Sequence, residues 1–176
     1  MSEDFILLRP TAEYASQIAE YRQEFIDFGS SMDGCGPLRR YTDPMEWIKI
    51  CADYEDASKC PSDNVPQTQF LFIRKNDNKL VGMIQIRHYF NDYLEKYAGH
   101  IGYSVRPSER RKGYAKQMLA MTLPHCRAVG LDKVLVCCID GNIGSEKTIL
   151  ANGGVYEYTV DEPDRNRSLK RFWISI

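Results

Sequence analysis

Apolar and polar positions along this 176-residue chain recur in blocks whose period switches between that of a strand and that of a helix. Phe5 to Arg9 reads as a short strand stopped by Pro10. Beyond it, Ile18, Tyr21 and Phe25 repeat at helical spacing up to about Phe28. Thr11 is placed to cap that helix and Gly29 to end it. Residues 29–40, GSSMDGCGPLRR, carry the Gly, Ser and Pro of a loop. Asp43-Pro44 opens a second helix, with Asp43 at the N-cap and Pro44 in the first turn. Met45, Ile48 and Cys51 or Ala52 give it an apolar face. Residues 57–67 are polar, hold two prolines and predict a further loop.

QFLFIR (69–74) and LVGMIQIRHYF (80–90) predict two strands joined through KNDNK as a hairpin. AGHIGYSV (98–105) predicts the next strand. Ala115, Met118, Leu119, Thr122 and Cys126 are in helical register, and Pro124 inside that pattern predicts a kink or a split. KVLVCCI (133–139) is apolar throughout, as expected of a central strand covered on both sides. A helix follows from about Ile143 to Asn152, ended by Gly153, and VYEYTV (155–160) and KRFWISI (170–176) predict two last strands. The order β-α-α-β-β-β-α-β-α-β-β predicts a mixed α/β fold: one sheet with helices on both faces, in a single domain spanning 1–176.

Bulk properties narrow the class. The length fits one domain, and 43% hydrophobic content is ordinary for a globular core. No apolar run reaches the ~18 residues of a membrane span, and the first residues lack a basic-then-apolar leader pattern, so the expectation is a soluble, cytoplasmic protein. Six cysteines form no C-x-x-C pair and read as reduced, small apolar residues. No ligand cluster argues for a metal. The net charge of −1 conceals an asymmetry: residues 1–66 hold 6 Lys/Arg against 13 Asp/Glu, and residues 67–176 hold 17 against 11. The acidic part would suit a cationic amine, or is simply a solvated acidic surface. No long basic stripe points to nucleic acid.

The most telling segment is HIGYSVRPSERRKGYAK (100–116). A strand with Ile101, Tyr103 and Val105 stops at Pro107, and Arg110-Arg111-Lys112-Gly113-Tyr114-Ala115 then opens a helix. The first turn of a helix has free N–H groups and the positive end of the dipole, so strand, turn and helix start form an anion cradle. Gly113 lets a diphosphate approach the backbone, Ala115 keeps the next position small, and three successive cations add charge.

Arg110-x-x-Gly113-x-Ala115 resembles the acyl-CoA-binding motif of the GNAT N-acetyltransferase superfamily, Arg/Gln-x-x-Gly-x-Gly/Ala. The preceding strand ending V-x-P, and Asn142-x-x-Ser145 before Gly153-Gly154, strengthen the likeness, which covers roughly residues 68–176 well; LLRPT (7–11) also looks like the family's first strand. The resemblance implies a mostly antiparallel central sheet whose strands splay beside the cradle, with acyl-CoA lying in the V. It implies transfer of an acetyl group from acetyl-CoA, as co-substrate and without a metal, to a primary amine by direct attack in a ternary complex.

Such chemistry needs a base for the ammonium, donors for the carbonyl oxygen and a proton for the departing thiolate. His100 stands where relatives often carry a catalytic Glu, and imidazole titrates near neutrality; its other reading is a structural strand histidine. His88 is the second choice and His125 reads as surface. Backbone groups of Tyr103, Ser104 and Val105 are implied contacts of the carbonyl and pantetheine arm, though Tyr103 reads equally as core. Ile149 stands where many relatives carry the acid Tyr, so Ser145 or a water is left as the donor to sulfur. Asn142 is the implied amide for the pantetheine, or only the helix start. Arg110 is implied to face the diphosphate; Arg111 and Lys112 contribute mainly backbone N–H groups, with their side chains in solvent; Tyr114 is counted with the cofactor-binding turn; and Lys116 could reach a phosphate or stay in solvent. Asp33, in the acceptor loop, could bind a cationic substrate, and Trp47 reads as core. The rival readings are a non-catalytic acyl-CoA sensor and a phosphate-loop nucleotide enzyme, the latter lacking G-x-x-x-x-G-K-[ST]. The terminal strands could pair across a homodimer.

Overall fold

A computed structural model describes residues 4–176. Seven strands form one sheet: β1 (Phe5–Leu8), β2 (Gln67–Arg74), β3 (Lys79–Arg87), β4 (Ile101–Val105), β5 (Lys133–Ile139), β6 (Val155–Glu162) and β7 (Arg167–Ser175), in the spatial order β1-β2-β3-β4-β5-β7-β6. Every neighbouring pair is antiparallel except β4 and β5. Four α-helices cover it: α1 (Ala15–Asp27), α2 (Pro44–Glu55), α3 (Tyr114–Ala128) and α4 (Ile143–Leu150). This is the mixed, mostly antiparallel α/β fold that the element order predicts.

Two apolar layers flank the sheet, as strand alternation requires. On one face α1 and α2 bury Ile18, Tyr21, Phe25, Trp47 and Cys51 against Leu71, Ile73, Leu80 and Met83. On the other, Met118, Leu119 and Cys126 of α3 and Ile149 of α4 pack on Phe70, Phe72, Ile84, Ile101, Val134 and Val136. Both faces being covered explains why β2 and β3 are buried along their whole interior, Thr68, Gln69 and Gln85 included. Burying one such Phe or Trp side chain contributes about 1.5–3 kcal/mol. The wholly buried Trp47 also donates its indole N–H to the carbonyl of Cys35 at 2.9 Å, tying the 29–40 loop to α2.

Several boundaries differ from the sequence expectation. Thr11 makes no side-chain cap; a single tight turn, Ala12–Tyr14, leads into α1 instead. Asp43 does cap α2, accepting from the Met45 N–H at 2.9 Å. The buried face of α2 is Trp47 and Cys51, with Met45 exposed. α3 runs unsplit through Pro124, because Pro124 and Ala120, whose carbonyl it cannot satisfy, both lie on the exposed side. His125 is half-buried against Phe70, ring centroids 4.7 Å apart, rather than at the surface.

The stretch before β4 is not strand. Leu94–Ala98 winds as one π-helical turn, closed by the Gly99 N–H on the Leu94 carbonyl at 2.7 Å. Gly99 has φ of 70°, and a Cβ there would sit 2.3 Å from the Leu135 carbonyl oxygen, so only glycine fits.

Candidate active-site cleft

The cleft follows from how β4 meets β5. Their parallel register contains a single pair, Ile101 with Val136. Beyond it the two strands diverge, and a cleft of about 590 Å³ opens between them, a size usual for small-molecule sites. β4 stays laddered to β3: the Arg87 N–H bonds the His100 carbonyl, and the Arg106 N–H bonds the Val81 carbonyl. The alternation of such a ladder turns the main-chain groups of Tyr103 and Val105 toward the fork and those of Gly102 and Ser104 toward β3. An extended ligand can therefore use the Tyr103 and Val105 edge as a strand would.

At the wide end lies the cradle. Arg111 (φ of 68°) and Gly113 (φ of 77°) are both left-handed, which folds the successive N–H groups of the turn inward. No side chain caps α3, in contrast to α2 and α4, so the first-turn N–H groups of Tyr114, Ala115 and Lys116 retain their capacity for an anion. A Cβ at Gly113 would meet nothing within 4 Å; glycine serves there for its left-handed backbone and for the room it leaves. The residues present thus fit a diphosphate.

The cations of the turn divide. Arg111 and Lys116 line the cleft. Arg110 also borders it, but its guanidinium donates to the Val105 carbonyl at 3.1 Å and the Ser30 hydroxyl at 2.9 Å, bracing the 29–40 loop against the end of β4. Lys112 does not line the cleft: its ammonium is 2.7 Å from the Glu109 carboxylate. Glu109 is buried under Arg74, Lys79 and Lys112. Burial pushes its carboxyl up, but hydrogen bonds from Lys112, Lys79 and Arg74 together outweigh that and hold it down at about 2.

Halfway along, on the α3–α4 face, the Tyr103 hydroxyl lies 2.7 Å from Ser145 Oγ. Burial, opposed by the Ser145 bond, pushes the Tyr103 phenol up to about 12. Ser145 stands in the first turn of α4, which Asn142 caps by accepting the Ser145 N–H at 3.1 Å. Asn142 therefore does start the helix, while lining the cleft as well. Ile149 is wholly buried in the core and does not line the cleft. Ser104 borders the cleft, but its hydroxyl belongs to a buried cluster with Tyr21 and Cys35, at 3.0 and 3.4 Å, on the opposite face.

His100 calls for a correction. It is buried, lies outside the residues that line the cleft, and accepts the Leu135 N–H on Nδ1 at 2.9 Å. Its ring packs against Phe90 at a tilt of 37°, centroids 4.0 Å apart. Burial, helped by the Arg87 charge, pulls its pKa down to about 4. These contacts are those of a strand staple. Among the described residues no histidine lines the cleft; His88 bonds Thr68 at 2.8 Å on the far side of β3 from β4.

The α1–α2 face of the fork carries Asp33, exposed and held by the Ser31 hydroxyl at 2.7 Å, together with Arg87 and Cys137. Gly34 seats this loop on β4: its φ is 71°, and a Cβ would fall 2.3 Å from the Gly102 carbonyl oxygen. Sequence reasoning reached Asp33 but missed Arg87, although Met83, Gln85 and Arg87 alternate onto this face of β3. It also missed the pairing of Tyr103 with Ser145, which no local spacing encodes. Among the described residues no group of three His, Cys, Asp or Glu could hold a metal, and no helix is long and apolar enough to cross a membrane.

Residues 37–151, more than half of the chain, match the family model described as Acetyltransferase (GNAT) family. Among curated proteins none matches the sequence. Solved structures of similar fold include the ribosomal-protein-S5-alanine acetyltransferase from Vibrio fischeri: 18% identity, TM-score 0.74, covering 99% of this chain and 94% of that one. The microcin C7 self-immunity acetyltransferase, in complex with acetyl-CoA and AMP, has 16% identity and TM-score 0.73, with 99% and 94% covered. The ribosomal L7/L12 alpha-N-protein acetyltransferase, in complex with coenzyme A, has 13% identity and TM-score 0.73, with 99% and 96% covered. At such identities the likeness is one of fold. Since the matched segment runs from the loop that carries Leu38 to the end of α4, and so contains the fork and its anion turn, the chain belongs to the acetyltransferase (GNAT) family, acyl-CoA-dependent N-acyltransferases.

Proposed function

We propose that the chain works as one domain, residues 1–176, transferring the acetyl group of acetyl-CoA to a primary amine in a ternary complex. The observation that carries this reading is the two-faced fork: the Tyr103–Ser145 pair on one face, Asp33 on the other, and the anion turn at its mouth. When bound, acetyl-CoA supplies the acetyl group as a thioester.

The main-chain N–H groups of 111–116 hold the diphosphate, with Arg111 and Lys116 adding charge. The β5-facing edge of Tyr103 and Val105 orders the pantetheine arm and offers an N–H to the carbonyl oxygen. Asn142 borders the same arm. Asp33 draws the acceptor's ammonium to the far face and takes up its proton, directly or through water. The N–C bond then forms as the C–S bond breaks. Tyr103, which keeps its proton throughout the neutral range, donates toward sulfur, and Ser145 aligns it. Tyr103 thus supplies from β4 the acid that relatives carry on the last helix. Two of the fold neighbours are named for acetylating protein amines, which supports an amine acceptor.

The test measures thiol release from acetyl-CoA with a panel of primary amines, beside calorimetric binding of acetyl-CoA to wild type and Gly113→Glu. Expected are turnover with at least one amine class and binding weakened tenfold or more, at about 1.4 kcal/mol per decade, by a carboxylate placed at the turn. Tight binding without turnover on any amine would instead mark a sensor.

A further inference from the structure

We infer that the acceptor carries a carboxylate beside its amine, and that Arg87 of β3 is the residue that reads it. The inference rests on the acetyltransferase reading above and names its substrate class.

Arg87 lines the fork on the same face as Asp33. Its Nη1 donates to two carbonyl oxygens of the turn before β4, those of Gly99 at 3.1 Å and Ala98 at 3.4 Å. These contacts fix the plane of the guanidinium. They leave Nη2 beside Gly102, where a Cβ would come within 3.3 Å of it. The other arginines of that end of the sheet are neutralised: Arg167 pairs with Glu162 at 2.5 Å and Arg171 with Glu157 at 2.9 Å. Arg87 makes no ion pair with any described residue. Arg87 is half-buried, and burial pulls its pKa below the guanidinium's ordinary value. A half-buried cation with no direct ion pair, and only Asp33 acting on it from a distance, gains from a ligand anion at Nη2, and a held guanidinium matches a carboxylate.

The charge balance argues for a carboxylate in particular. Asp33 is close enough to act electrostatically on both Arg87 and Tyr103. With Asp33 and Arg87 balancing each other, only a ligand of zero net charge keeps this face neutral: an ammonium facing Asp33 and a single carboxylate charge facing Arg87, whereas a phosphate dianion would add an uncompensated negative charge. The pocket therefore suits a zwitterion. The chemistry is shared by a free amino acid and by an acidic residue near the amino end of a peptide, and the test separates them.

Rates are measured with free α-amino acids and ω-amino acids, with the matching carboxamides (the same size without the charge), and with short peptides bearing Glu or Gln second. Wild type should prefer each acid over its carboxamide by tenfold or more in kcat/KM. Arg87→Gln, which keeps a donor for the turn carbonyls, should bring that ratio near one. Arg87→Lys should restore part of it. A preference confined to the Glu peptides assigns the peptide source; one seen with free amino acids assigns the small molecule. A wild type that uses carboxamides as well as acids overturns the inference. So does an Arg87→Gln variant that loses both equally, since that marks Arg87 as a structural staple alone. Should acetyl-CoA bind and no amine turn over, the enzyme reading fails by itself. Calorimetric titration of the coenzyme A-loaded protein with the same acids then decides Arg87, and absent heat with every acid overturns the inference.

Discussion

Tyr103→Phe removes one oxygen atom and should separate catalysis from stability. The atom lies 2.7 Å from Ser145 Oγ, with a longer contact, 3.4 Å, to the Ser145 carbonyl and a weaker interaction with the Thr148 side chain. One such hydrogen bond contributes about 1 kcal/mol net. Ser145 lines the cleft and can turn to water, so no buried orphan remains. A chain of this length should then lose roughly 2–4 °C in melting temperature. The rate should respond far more. Losing a positioned acid costs about 10²–10⁴-fold, or roughly 3–5 kcal/mol of barrier. The assay is thiol release at saturating acetyl-CoA, with calorimetric affinity and a thermal melt as controls. Because burial holds the Tyr103 phenol at about 12, the wild-type rate should show no alkaline fall attributable to it below about pH 11. A Tyr103→Phe variant that keeps its rate within roughly threefold of wild type, with acetyl-CoA affinity intact, would refute the role of Tyr103 as acid.

Three further outcomes follow from particular contacts. Gly34→Ala forces a Cβ against the Gly102 carbonyl at 2.3 Å from a left-handed backbone, so the 29–40 loop must lift; KM for the amine should rise while acetyl-CoA affinity holds, and unchanged amine kinetics would contradict the seating of that loop. Glu109 has a folded pKa lowered to about 2, so its stabilising effect is present above its ordinary value near 4.5 and is lost as pH falls toward 2; Glu109→Gln should flatten that acid limb in chemical denaturation, and an identical acid profile would count against the ion-pair cluster. His100 is likewise lowered, to about 4, so its contribution is present above about 6.5 and fades as pH drops toward 4; His100→Ala should lower the unfolding free energy by about 1–3 kcal/mol yet leave no missing limb near pH 6.5 in the rate, and loss of such a limb would restore His100 as base.

Much of this architecture is readable from the residues in order. The apolar runs of β2, β3 and β5, the Asp43-Pro44 helix start and the Arg110-x-x-Gly113-x-Ala115 turn are local signals, each caused by neighbours in sequence. What local pattern does not hold is direction across the sheet. The distance of His100 from the strand start says where the residue stands, but the Leu135 N–H that captures its Nδ1 comes from β5. The π-helical turn at 94–98 has no periodicity of its own; it forms because Gly99 must pass the Leu135 carbonyl and because Arg87 and Arg171 collect its carbonyl groups. Tyr103 and Ser145 are 42 residues apart in sequence and meet only because β4 and α4 flank one side of the fork. The Lys112–Glu109 pair is likewise not encoded by helical spacing, because Arg110 is extended and Arg111 left-handed between them.

The central claim is that backbone amides of the turn before α3 grip a diphosphate and thereby lay the thioester along the open edge of β4. A crystal structure of this protein with coenzyme A tests it most directly. The account predicts diphosphate oxygens about 2.9 Å from the N–H groups of residues 111–116, with sulfur beside the Tyr103 hydroxyl. A diphosphate bound elsewhere, or a sulfur on the far side of β5, would contradict it.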